Sequence, residues 1–299
     1  MYNQIASNKR KTAFFILLTI LLVGGLGYLF GYLYDAGPVG LVYALLISVV
    51  LSLVSYFSGD KLVLMTSGAQ RIAKEDQPYV YRMVENTCIA GGIPVPRVYI
   101  INDPAMNAFA TGRDPEHASI AVTTGLIENL ENEELEGVIA HELSHVKNFD
   151  VRLMMIVATL IGVVILMSDF MLRAQLFGGS RRRSNDSGGA GAILAIVGLL
   201  AMILAPIFAQ LIKLAVSRKR EFLADASGAM LTRYPQGLAN ALRKIGAQNR
   251  PLQHANASTA HLFFSNPFGT HDVRSFLSKL FSTHPPIEER IKALEGMTQ

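Results

Sequence analysis

"IAHELSHVKNF", residues 139–149, places two histidines four apart, with a glutamate directly after the first. On a helix, His141 and His145 share one face, because positions i and i+4 lie one above the other. Two imidazoles at that spacing can ligate one zinc ion, and Glu142 can reach a water on the same metal as general base. Five residues are a short pattern, so its weight rests on context. The stretch from Asn132 onward predicts a helix: Asn132 suits the N-cap, and Glu133, Glu134 and Glu136 complement the positive helix start. Leu135, Val138, Ile139, Val146 and Phe149 supply its buried face.

Upstream, residues 77–90 carry apolar positions at helical spacing. "VPRVYIIN" (95–102) alternates and is β-branched, which predicts a strand, and "NAFATG" (107–112) and "HASIAVTTGLI" (117–127) predict further short strands. The expected order is helix, small sheet, long helix.

A third ligand is available in "VSRKREFLADASG", residues 216–228. Glu221 and Asp225 are again i and i+4, with Arg218 on the same stripe. Such a stripe is commonly a solvated charged face. Yet two His and one Glu, with water in the fourth position, form a known catalytic zinc set. Asp225 could accept a ring N–H from a ligand histidine and fix its tautomer. Arg218 is expected either to pair with Asp225 or to contact substrate.

Composition points to lipid. Hydrophobic residues make up 51% of the 299 and charged residues 17%, with a mean hydropathy of +0.33. The net charge is +4, but the cations flank apolar runs: Lys9, Arg10 and Lys11 before the first, and Lys213, Arg218, Lys219 and Arg220 after the last. That placement favours membrane flanks over nucleic acid, for which no module is visible. The single cysteine, Cys88, excludes an intrachain disulfide and reads as a buried structural thiol.

No charge falls between Lys11 and Asp35, or between Asp35 and Asp60, and each run exceeds the roughly 20 residues a spanning helix needs. A third run covers about 153–172 and holds Asp169; a fourth covers about 190–212. The loop between them, with Arg173, Arg181, Arg182 and Arg183, is rich in Gly and Ser. These two runs either cross the membrane or form a buried apolar hairpin. In both cases the chain before and after them faces one side, so Glu221 returns to the side of His141. The flanking cations place the N-terminus and that side in the cytoplasm. The expected organisation is two transmembrane helices (1–58), a cytoplasmic part with the zinc-binding helix (59–152), the hairpin (153–212) and a cytoplasmic C-terminal part with the third ligand (213–299).

The pieces "AHELSHVKNFD", "SRKREFLADASG", "NAFATG" and "THPPIEERI" resemble the HtpX family of membrane-bound zinc metalloproteases, relatives of the prenyl-protein endopeptidases. The likeness covers nearly the whole chain, including the opening "QIASNKRKT". It implies a mainly α, zincin-like fold with a small β-sheet joined to about four apolar membrane helices. It also implies one zinc ion per chain, a cell-membrane location with the active site on the cytoplasmic side, and quality control of damaged or unfolded membrane proteins. Carried over residue by residue, the metal ligands are His141, His145 and Glu221, and the catalytic glutamate is Glu142. His284 in "THPPIEER" is a candidate donor to the oxyanion, or else a turn residue before a helix. Residues 119–125 ("SIAVTTG") are a candidate exposed edge for an added substrate strand, with Ala121, Val122 and Thr123 in contact; Asn107 could bond a substrate backbone from a second wall. An inactive metal-binding scaffold and a prenyl-protein endopeptidase are the alternatives. The sequence leaves oligomeric state open.

Overall fold

The computed structural model describes residues 2–33, 38–158, 218–248, 250–255, 258–268 and 285–297. Two long helices come first, α1 (Tyr2–Leu33) and α2 (Pro38–Thr66), packed against each other. Their composition dictates this: from Ala13 in α1 and up to Phe57 in α2 the residues are apolar or small and none is charged, so each helix buries one side and leaves the other uncovered. Phe15 and Val23 are buried, whereas Phe14, Leu17, Leu21, Val42, Leu46, Val50 and Leu53 are exposed. Within α2, Leu41–Thr66 has a mean hydropathy of 2.2 and is long and apolar enough to cross a membrane; it is the one such stretch among the described residues. The start of α1 and the end of α2 both rest on the folded body. Asn8 bonds to Asp150 at 2.7 Å, and Asp60 accepts from Arg97 at 2.6 Å.

The body is mostly helical around one mixed sheet. Strand β1 (Ala69–Arg71) precedes α3 (Pro78–Gly91), then come β2 (Arg97–Ile101), β3 (Ala108–Gly112) and β4 (Ala118–Thr123). The spatial order is β1-β2-β4-β3, with β2 and β4 parallel and the outer pairs antiparallel. Both faces of the sheet are covered. Phe109 and Ala121 join a cluster with Phe15, Val63, Val146 and Phe263. Ile120 and Val122 join another with Val84, Leu135, Val138 and Leu143. This two-sided burial explains why "SIAV" lacks a polar face.

Two sequence expectations shift. The end of "HASIAVTTGLI" is not strand: Thr123 Oγ1 accepts from the Leu126 amide and starts a short helix, α4 (Thr124–Asn129). Helix α5 (Asn132–Lys147) has its cap one residue before the expected one, at Glu131, whose backbone amide donates to the Glu134 carboxylate at 2.9 Å. A further helix, α6, is described over 150–158. Then follow α7 (Arg218–Thr232), α8 (Pro235–Ala247) and α9 (Ile287–Glu295). Most of the third and fourth apolar runs, the Arg-rich loop and Asp169 lie outside the described residues.

Helix α5 is the centre of the body, packed by α3, α7, α8 and the sheet. Gly137 permits one of the close approaches. A Cβ there would lie 2.9 Å from the backbone nitrogen of Leu238 in α8. Gly137→Ala should therefore force the two helices apart and destabilise the protein by about 1–3 kcal/mol, as overpacking does. Thermal unfolding in detergent should show the loss; an unchanged midpoint would contradict this packing.

Candidate metal centre

His141 and His145 project from α5, and Glu221 and Asp225 project from α7 across it. Gly228 makes the crossing possible, since a Cβ there would sit 3.0 Å from the backbone nitrogen of His141. His141, Glu142, His145, Glu221 and Asp225 are all buried.

The outer ring nitrogens are both engaged. His141 Nδ1 lies 2.9 Å from Asp225 Oδ1, and His145 Nδ1 lies 3.0 Å from Asp150 Oδ2. In the neutral imidazoles each carboxylate accepts the Nδ1 proton, which leaves the Nε2 lone pair facing inward. The two Nε2 atoms are 3.2 Å apart. Glu221 faces both rings with its carboxylate, Oε1 3.5 Å from His145 Nε2 and Oε2 3.8 Å from His141 Nε2. Bonds of about 2.0–2.1 Å in a tetrahedral zinc site set ligand atoms roughly 3.3 Å apart, and these three distances bracket that value. The three groups could hold a metal ion.

Electrostatics point the same way. Burial pulls the His141 pKa down to about 4, against the opposing pull of Asp225. Burial also works against protonation of His145, but its hydrogen bond to Asp150 and the charges of Glu221, Asp150 and Glu142 outweigh it and push the pKa up to about 9. The cluster is short of positive charge, and a proton on His145 partly supplies it. Asp225 stays ionised: burial would raise its pKa, but Arg290 and His141 bring it down to about 2.

Arg290, on α9, was not singled out by the sequence reading. It is buried, and its guanidinium forks onto Asp225, with Nε to Oδ2 at 2.8 Å and Nη2 to Oδ1 at 2.7 Å. Arg218 is instead exposed, at the start of α7. Phe264 was also missed; its ring meets His141 edge-on at 5.0 Å and lies under Arg290 at 4.8 Å. Asp150 escaped notice because it follows the helix end. The only signal for Arg290 was its place in "THPPIEERI". His284 lies outside the described residues.

The proposed substrate edge needs correction. Strand β4, with Ala121, Val122 and Thr123, lies between β2 and β3 and is hydrogen-bonded on both sides, so no strand can add to it. Asn107 is committed as well: its amide donates to the Ser265 carbonyl at 3.0 Å and accepts from the Ser265 amide at 3.1 Å. The outer strands are β1 and β3. His261 is wholly buried, with Nε2 3.0 Å from the Met154 carbonyl. Cys88 is buried as expected, which pushes its thiol up to about 12.

Known proteins match this chain along its length. Residues 74–298 match the family model of peptidase family M48. A protease HtpX homolog of Caldanaerobacter subterraneus subsp. tengcongensis is 45% identical over 299 residues, covering 100% of this chain and 98% of the relative. The chain belongs to peptidase family M48, among the HtpX proteases. A second HtpX homolog, from Tropheryma whipplei (strain Twist), is 48% identical over 297 residues, covering 99% of this chain and 98% of its own. The crystal structure of S. mikatae Ste24p shares the fold, with a TM-score of 0.54 at 19% identity, over 99% of this chain and 67% of that one.

Two outcomes follow from this geometry. His145 must shed its proton before its Nε2 can bind a metal. Because its metal-free pKa is raised to about 9, the proton competes below that pH, and apparent zinc affinity should rise about tenfold per pH unit between about 7 and 9, then level off. Titration in weak buffer should register the released proton; affinity independent of pH would contradict the assignment. Arg290→Met should strand the Asp225 carboxylate and cost about 3–5 kcal/mol of stability, read as a lowered denaturation midpoint.

Proposed function

We propose that the chain is a membrane-integrated zinc endopeptidase that cleaves damaged or unfolded membrane proteins from the cytoplasmic side. The observation that carries this reading is the convergence of His141 Nε2, His145 Nε2 and a Glu221 carboxylate oxygen beside Glu142, in a site closed by Phe264. His141, His145 and Glu221 are the proposed ligands. Zinc, when bound, supplies Lewis acidity and makes water acidic enough to attack at neutral pH. Glu142 takes the proton of the attacking water and returns it to the leaving amine. Asp225, held by Arg290, and Asp150 keep both imidazoles in the tautomer that presents Nε2 inward.

The membrane reading rests on the outward apolar faces of α1 and α2 and on the meeting of both helices' inner ends with the body. That end carries Lys9, Arg10, Lys11 and Lys61, as the cytoplasmic side of a bilayer favours. The proposed division is the one read from sequence: membrane helices in 1–58, a zincin-like body in 59–152 and 213–299, and an apolar hairpin in 153–212. For the substrate, β3 is the proposed wall. The Asn107 carbonyl accepts from Thr123 and so faces β4, while the Ala108 carbonyl accepts from Phe264 and faces away. With the two-residue period of a strand, Ala110 also faces away; it is buried in the substrate-free chain, so pairing with an extended peptide requires its present cover to be displaced. Main-chain pairing makes the expected sequence preference loose.

The test uses the full chain purified in detergent under chelator. Adding zinc should switch on cleavage of an unfolded protein such as casein. Glu142→Gln should bind zinc normally and lose about 10²–10⁴-fold in kcat. Zinc binding without cleavage by the native chain would favour a scaffold instead.

A further inference from the structure

The matched family segment begins at residue 74, yet a residue far upstream of it reaches the metal centre. Asn8, in the first turns of α1, is only 1% exposed. Its Nδ2 donates to Asp150 Oδ1 at 2.7 Å and to the Asn148 carbonyl at 2.9 Å. Those two acceptors use both amide protons and fix the side chain's orientation. Its Oδ1 then faces Arg220 Nη1 at 3.4 Å, and Arg220 directly precedes Glu221. The other oxygen of Asp150 takes the Nδ1 proton of His145.

The turn that carries Asp150 is also gripped by α1. Phe149 has φ +60°, a left-handed conformation that is strained for a non-glycine residue. It turns the chain so that Asp150 comes back beneath His145. The Phe149 ring lies under two cations, Lys9 at 5.0 Å and Arg152 at 4.9 Å. Helix α1 thus supplies both Asn8 to the carboxylate and Lys9 to the turn.

We infer that Asn8 is a positioning residue of the metal centre: through Asp150 it sets the ring of His145, so the first helix is part of the outer shell of the site. Without its amide, Asp150 Oδ1 keeps Arg220 at 3.6 Å, beyond a good hydrogen bond. The carboxylate then swings toward Arg220 and slackens its hold on His145. The inference rests on the reading of His145 as a zinc ligand.

The test is a double-mutant cycle read as zinc affinity, by competition with a chromogenic chelator, on the full chain in detergent. Removing a partner of a ligand histidine weakens metal binding about 10–100-fold. Asp150→Ala should fall in that range, and Asn8→Ala, acting one bond further out, should lose on the order of 10-fold. The double variant should bind like Asp150→Ala alone, because the route through Asp150 is already cut. Thr12→Val is the control: Thr12 is buried on the same helix, but its hydroxyl bonds to the Asn8 carbonyl, and it should bind zinc like the native chain. Affinity of Asn8→Ala within about twofold of native would overturn the inference. So would an undiminished loss in the Asp150→Ala background, which would mean that Asn8 only fastens α1 to the body. Should Asn8→Ala not fold, Asn8→Ser takes its place with the same two readings. A native chain that takes up no zinc removes the zinc reading itself, whereas a zinc-binding chain indifferent to Asn8 removes only this inference.

Discussion

The structure turns on an unbalanced buried charge. Around His141 and His145 lie four buried carboxylates, Glu142, Asp150, Glu221 and Asp225, and two buried guanidiniums, Arg220 and Arg290. With both imidazoles neutral and all four carboxylates ionised, two negative charges are left uncompensated in a low-dielectric interior, where an unpaired ion costs several kcal/mol, and a proton on His145 covers one of them in the metal-free chain. A divalent cation cancels the deficit, and the three inward lone-pair donors are spaced to hold one. A structural role for this motif, as a polar patch on an ordinary helix, would leave that deficit without a purpose.

Much of the surrounding fold serves this constraint. Gly228 on α7 brings its backbone close enough to α5 for Glu221 to face the two histidines. The left-handed Phe149 returns the chain so that a carboxylate lies under His145. Helix α9 delivers Arg290 to the far side of His141, and the segment pinned by Asn107 delivers Phe264 as an apolar cover. Four separate parts of the chain therefore meet at one point. This is the arrangement expected when metal binding and folding are coupled.

What could be read from sequence was what repeats at short range. The pairs His141/His145 and Glu221/Asp225 were visible because i,i+4 spacing fixes a face before any fold is known, and strand β2 was visible through its alternation. Strand order was not, because β4 inserts between β2 and β3 although it follows β3 in the chain. That misplaced the substrate edge. Arg290 and Asn8 were hidden for a related reason: each meets its partner across a long sequence separation, and a lone Arg or Asn carries no periodic signal. Arg218 was the natural guess for the partner of Asp225 because it is near in sequence, but as the first residue of α7 its side chain is free to reach solvent.

The measurement that bears most directly on the charge deficit is zinc K-edge X-ray absorption on the full chain loaded with one equivalent of metal. Two imidazole nitrogens at about 2.0–2.1 Å, with oxygen completing a four-coordinate shell at about 2.0–2.2 Å, are expected for a His-His-Glu centre. A six-oxygen shell without imidazole scattering, or a sulfur ligand near 2.3 Å from Cys88, would contradict it.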